Sequence, residues 1–133
     1  MLYLDTAALV KLVRREPESD ALVDWLGERT ADPWVTSVLA EVELARALRR
    51  TEPDLLSAVP GLLGRLYRCE IDATVRATAA AYADPALRTL DALHLATAQV
   101  VLGDRATFVT YDRRLLAAAQ SRGLVTEAPG LAA

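Results

Sequence analysis

The amino-acid sequence predicts an α/β fold, a three-layer α/β/α sandwich around a central, mostly parallel sheet. Two observations lead there. Five short apolar segments alternate with longer helical patterns, and segments without a polar face belong to strands covered by helices on both sides. The first of them, Leu2–Leu4, runs straight into a bare carboxylate at Asp5, and the carboxyl ends of such strands are where open parallel sheets place their sites.

The elements follow in order. After the first strand, helical spacing covers Ala7–Arg15 and Asp20–Glu28. Trp34–Thr36 reads as the second strand, and Val38–Arg50 as an amphipathic helix. A helix over Leu55–Arg65, a strand over Tyr67–Ile71 and a helix over Ala73–Ala83 come next. The stretch RTLDALHLATAQVVLG predicts a helix over Leu90–Leu102, capped by Thr89. It is apolar nearly all round, so it should be largely buried. Thr107–Tyr111 is the fourth strand, Arg113–Arg122 the last helix and Leu124–Thr126 the fifth strand. No repeat or Gly/Ser linker interrupts the pattern, so residues 1–133 are expected to form one domain, burying roughly two-thirds of its unfolded surface.

Composition narrows the function. The chain is 53% hydrophobic, yet charges interrupt every apolar run well short of the ~18 residues a membrane span needs. Asp5 falls inside the first apolar run, so nothing at the start reads as a secretory leader. Cys69 is the only cysteine, which rules out an internal disulfide and fits a reducing cytoplasm. A net charge of -3 does not describe a generally basic nucleic-acid-binding surface, although a bound divalent cation would reverse the sign locally. Lys11 is the only lysine and every other cationic side chain is an arginine, so any lysine-dependent mechanism must use Lys11.

The candidate functional residues are acids. Asp5 and Asp112 each follow a strand, Asp91 stands in the first turn of the apolar helix, and Glu41 and Glu43 lie on the helix VLAEVELARALRR. Taken singly, each has a structural role: helix cap, dipole partner, or for Glu43 an i,i+3 pair with Arg46. Asp72, which also joins a strand to a helix, is read as a cap alone. Glu41 and Glu43 point about 200° apart, and geometry alone does not choose between them. Taken together, three or four carboxylates in one crevice repel, and no lysine or histidine is evidently placed to neutralise them. A hard cation such as Mg²⁺ or Mn²⁺ would. Acidic residues around such an ion are equipment for phosphodiester hydrolysis.

Rival chemistries lack their parts. Lys11 stands too early for a phospho-acceptor receiver domain, Ala7 replaces the second aspartate of haloacid-dehalogenase phosphatases, and no glycine-rich phosphate loop follows a strand. His94 and Cys69 read as core or hydrogen-bonding residues, and Trp25 and Trp34 as core or interface anchors.

Four segments, MLYLDTAALVKL, TSVLAEVELARALRR, LRTLDALHLATA and FVTYDRRLLAAA, stand in the order and at roughly the spacing of PIN-domain ribonucleases. Over essentially its whole length the chain resembles the VapC toxins of bacterial toxin–antitoxin pairs. The resemblance implies a five-stranded parallel sheet and endoribonuclease activity dependent on Mg²⁺ or Mn²⁺. It also implies cellular RNA as substrate, inhibition by a small VapB-like antitoxin, and a homodimer or a higher toxin–antitoxin assembly. Residue by residue it makes Asp5 the first acid, with Thr6 its hydroxyl neighbour. The second acid, standing before RALRR, is Glu43 rather than Glu41; the third is Asp91 and the fourth Asp112. These four are the expected metal ligands and catalytic acids. Thr110 becomes a hydroxyl that supports an acid or touches substrate, and Arg113 or Arg114 a contact to the RNA backbone. A non-catalytic PIN-fold binding module would be marked by a lost acid, and all four are present. A DNA-directed or structure-specific nuclease would need extra helical elements, for which 133 residues leave little room.

Overall fold

The computed structural model describes residues 1–132. At its centre five strands, β1 (Leu2–Leu4), β2 (Trp34–Ser37), β3 (Leu66–Cys69), β4 (Thr107–Val109) and β5 (Val125–Glu127), form an all-parallel sheet in the order β3-β2-β1-β4-β5. Side chains alternate across it. Leu2 and Leu4, with Leu66 and Val109, face helices α1 (Thr6–Val13), α2 (Ser19–Gly27), α3 (Leu39–Thr51) and α4 (Val59–Leu63). Tyr3, Val35 and Phe108 face the opposite layer, where α6 (Thr89–Thr97) and α7 (Arg113–Ser121) supply Leu95, Leu115 and Ala119. Helix α5 (Ala73–Ala81) packs on α6. Tyr3 stacks on Phe108 with ring centroids 5.3 Å apart, an arrangement that adds about 0.5–1.5 kcal/mol to their burial.

The topology fixes where a site can form. From β1 the chain steps outward through β2 to β3, then crosses back to place β4 on the other side of β1. The strand order therefore reverses at β1, and the crevice outside the carboxyl ends of β1 and β4 is the switch point of the sheet. Asp5 directly follows β1, and Thr110 to Asp112 directly follow β4.

Three details, in two helices, differ from the sequence expectation. The helix expected over Leu55–Arg65 is a 3₁₀ segment, Pro53–Ala58, followed by the short α4, because Pro60 lacks the N–H that a continuous helix needs and fits only its first turn. The apolar helix is α-helical only to Thr97, and its last five residues, Ala98–Leu102, form a π-helical turn that ends at Gly103. That turn leaves Val100 and Val101 exposed. Thr89 is not a cap: it is the first helical residue, and Arg88 occupies the cap position without a side-chain bond. Among the described residues no helix is long and apolar enough to cross a membrane.

Candidate active site

Four of the predicted acids converge on the switch point. Asp5 is 3% exposed. Its Oδ1 accepts the Ala8 N–H at 2.9 Å, capping α1, and its Oδ2 accepts the Thr110 hydroxyl at 2.5 Å. Thr110 is fully buried and also accepts the Asp112 N–H, so one hydroxyl ties the ends of β1 and β4 together. Asp112 caps α7 through Oδ1 alone, accepting from the N–H groups of Arg114 and Leu115. The structural role and the candidate functional role therefore coexist in the same carboxylates. Asp72 is the contrast: it caps α5 through Oδ1 and is exposed.

Of the two glutamates, the structure brings Glu43 to the crevice. Its Oε1 accepts the Thr6 hydroxyl at 2.7 Å and His94 Nε2 at 2.7 Å. Glu41 points away, exposed, in an ion pair with Arg68 at 2.9 Å. The alternative role, a pair with Arg46, is not formed among the described residues; Glu43 takes the buried His94 as its donor, in a setting where burial strengthens the bond. His94 is in turn held at Nδ1 by the Tyr3 hydroxyl at 2.8 Å. Since a carboxylate only accepts, Nε2 carries the proton aimed at Glu43.

The sequence offered no histidine evidently placed to neutralise the acids, and the hydrogen-bonding role it did offer for His94 is the one the structure gives it, against Glu43. His94 stands three residues after Asp91, one helical turn along α6, which was the available signal; the partner that orients it, Tyr3, was not legible because it lies 91 residues away.

The charges are poorly reconciled. Burial pushes the Asp5 carboxyl up to about 6, and the charge of Asp91 adds to this, while His94 and the Thr110 hydrogen bond pull back only in part. Half-buried Asp91 is raised as well, first by burial and then by Asp112. Burial opposes ionisation of Glu43 too, but the bonds from His94 and Thr6 outweigh it and hold its carboxyl below the usual range.

The donor set is all oxygen, and three of its carboxylates keep an oxygen atom with no partner among the described residues: Asp91 accepts no hydrogen bond, Asp112 uses only Oδ1, and Glu43 only Oε1. Among the described residues no three acid, histidine or cysteine side chains stand close enough to enclose an ion. A cation bound here would therefore be met by one or two of these carboxylates directly and by the others through water, as a hard ion such as Mg²⁺ can be.

The remaining candidates lie at the rim. A cavity of about 330 Å³ is lined by Asp91 and Asp112 together with Arg88, Arg113 and Arg114. Arg113 is turned toward the chain end, donating to the Ala132 carbonyl at 2.7 Å. Arg88 was not singled out in the sequence, since an arginine before a helix carries no motif. Trp34 opens β2, at the opposite end of the sheet from the acids.

Comparison with known proteins agrees with this geometry. The PIN domain family model matches residues 2–121. The chain is 58% identical over 134 aligned residues to Ribonuclease VapC35 of Mycobacterium tuberculosis, covering 99% of each. It is 43% identical to Ribonuclease VapC46 of the same species, covering 96% of this chain and 97% of that one. Among solved structures it superposes with a TM-score of 0.70 on FitAcB from Neisseria gonorrhoeae, at 21% identity and 97% coverage of this chain. VapBC2 from Rickettsia felis, bound to a promoter DNA fragment, gives 0.67 at 19% identity, with 96% of this chain covered. The chain belongs to the PIN-domain family, on its VapC branch.

Proposed function

We propose that the chain is a cytoplasmic endoribonuclease dependent on Mg²⁺ or Mn²⁺, the toxin of a VapBC-type pair, and that Asp5, Glu43, Asp91 and Asp112 are its catalytic acids. The observation that carries this reading is the convergence of those four acids at the switch point in a chain 58% identical, end to end, to a protein named as a ribonuclease.

The residues divide the work. Asp91, Asp112 and Glu43 keep free oxygens, of which one or two would hold the ion directly and the others through water, beside the buried Asp5. When bound, a divalent ion lowers the pKa of water and offsets charge developing on the phosphate. Thr110 fixes the Asp5 carboxylate, and Thr6 with the Tyr3–His94 pair fixes that of Glu43, so the acids are oriented before substrate arrives. Exposed Val23 on α2 and Val42 on α3 are apolar surface for a VapB-like antitoxin or a second copy of the chain.

The test is incubation of the purified chain with structured RNA, single-stranded DNA and duplex DNA in Mg²⁺, Mn²⁺ or EDTA. Internal cuts in RNA alone, abolished by EDTA, are expected. Cleavage confined to DNA would assign a DNA-directed nuclease, and no cleavage of any substrate in either metal would assign a binding module.

A further inference from the structure

The end of β5 and the segment after it lie along the corner that carries Asp112. Three residues of that corner donate to it in turn: the Thr110 N–H to the Glu127 carbonyl at 3.3 Å, the Tyr111 hydroxyl to the Pro129 carbonyl at 2.8 Å, and the Arg113 guanidinium to the Ala132 carbonyl at 2.7 Å. Asp112 stands between the second and third of these donors. The segment is itself seated on a neighbouring helix. Gly130 has a φ of +83° and lies against the start of α2, where a Cβ in its place would stand 2.7 Å from the Ala21 Cβ and 3.6 Å from Glu18. Only glycine meets both the backbone conformation and the space. The chain's only lysine crosses the same seam. Lys11 of α1 pairs with Glu18 at 2.8 Å and with Glu16 at 3.2 Å, and its ammonium stands 4.7 Å over the Tyr111 ring.

We propose that residues 128–132 form a strap that holds the Asp112 corner against α1 and α2, and that Tyr111 and Gly130 are positioning residues through which the free oxygen of Asp112 is kept in reach of a cation beside Asp91. This rests on the cation-site reading above. The caps alone do not supply that placement. The bonds from the Arg114 and Leu115 N–H groups orient the Asp112 carboxylate within its own helix, but they do not set how far the start of α7 stands from acids on other elements. Asp91 on α6 lines one cavity with Asp112, and Asp5 caps α1. From within, the Thr110 hydroxyl ties the corner to Asp5. From outside, the strap ties it to α2 through Gly130, and Tyr111 ties it to α1 through Lys11. Such outer contacts set the aim of a metal-binding carboxylate without touching the metal.

The test reads metal binding and local opening, not cleavage. Tyr111→Phe keeps the ring beneath Lys11 and deletes the bond to Pro129, whereas Gly130→Ala sets a methyl group against Ala21. The full native chain and both variants are titrated with Mn²⁺ well below their melting temperatures, and amide hydrogen exchange over residues 110–114 is followed in EDTA. Both variants should bind Mn²⁺ about 10-fold more weakly and exchange faster over that stretch, with melting temperatures in EDTA close to native. Tyr82→Phe, which loses a comparable hydroxyl bond to Gln99 outside the acid crevice, should match the native chain in both readouts. Tyr111→Phe carries the test should Gly130→Ala fail to fold. If the native chain binds Mn²⁺ and the two variants bind it equally well, the strap has no positioning role and the cation-site reading stands. Faster exchange with unchanged affinity overturns the proposal as well, since the strap would then hold the corner without serving the acid. An equal loss of affinity in Tyr82→Phe would mark general loosening and contradict a role specific to the strap. If the native chain binds no Mn²⁺, the reading beneath the proposal fails with it.

Discussion

Asp5 is the residue on which the site costs the fold most. Its folded carboxyl is raised from 3.8 to about 6, so between those values the native state holds a proton that the unfolded chain has released. Stability of the metal-free protein therefore falls as pH rises from about 4 to 6, and the full penalty, on the order of 3 kcal/mol, is present at pH 7. Asp91 is raised in the same sense, whereas lowered Glu43 contributes stability that is lost on acidification. Asp5→Asn should accordingly raise the melting temperature in EDTA at pH 7 and flatten its fall between pH 5 and 7, while removing activity; melts across that range check it. A Tm unchanged or lowered at pH 7 would mean that the carboxylate is not under strain. At Glu43 the discriminating pair is Glu43→Gln, expected to be inactive, and Glu41→Gln, expected to be active because it loses only a surface ion pair with Arg68. Tyr3→Phe, which frees the His94 ring, should lower metal affinity or activity by about 10–100-fold, read by Mn²⁺ titration and by cleavage rate. The acids themselves were legible in the sequence because each stands at a strand-to-helix junction or in a first helical turn. The Tyr3–His94–Glu43 chain was not, since it joins β1, α6 and α3 across the sheet.

Helix termini are where structural and candidate catalytic roles can be separated. Asp112→Asn keeps an oxygen for the Arg114 and Leu115 N–H groups and removes only charge, so it should abolish activity without loss of stability in EDTA. Asp112→Ala removes the cap as well and should cost about 0.5–2 kcal/mol. Asp72→Ala, losing its single cap bond to Val75, should cost a similar amount and leave cleavage intact. Denaturant midpoints beside cleavage assays distinguish these three; equal destabilisation by Asp112→Asn and Asp112→Ala would make Asp112 a cap whose charge matters. The strands and most helices could be read from apolar runs, but two helices could not be read to their ends. Pro60 splits one into a 3₁₀ segment and a short helix, and Gly103 closes the other through a π turn, details that side-chain periodicity does not record.

For the whole molecule, the parallel sheet was expected from strands apolar on both faces, and the one consequence that matters is that β4 lands beside β1. That pairing turns acids more than 100 residues apart into one crevice. Val23 on α2 and Val42 on α3 leave apolar surface exposed. Light scattering of the purified chain, alone and with any small protein encoded beside its gene, should show association; a monomer that binds no such partner would contradict the toxin assignment. Metal should stabilise the fold by RT ln(1 + [L]/Kd), about 2.7 kcal/mol at a hundredfold excess over Kd. The central claim is that the four carboxylates act as one cation site. A Mn²⁺ binding titration at pH 7 on the native chain and on Asp91→Asn, Glu43→Gln and Glu41→Gln tests it most directly. The account predicts saturable binding to the native chain and Glu41→Gln, with binding lost or strongly weakened in the other two. Equal Mn²⁺ affinity in all four proteins would contradict it.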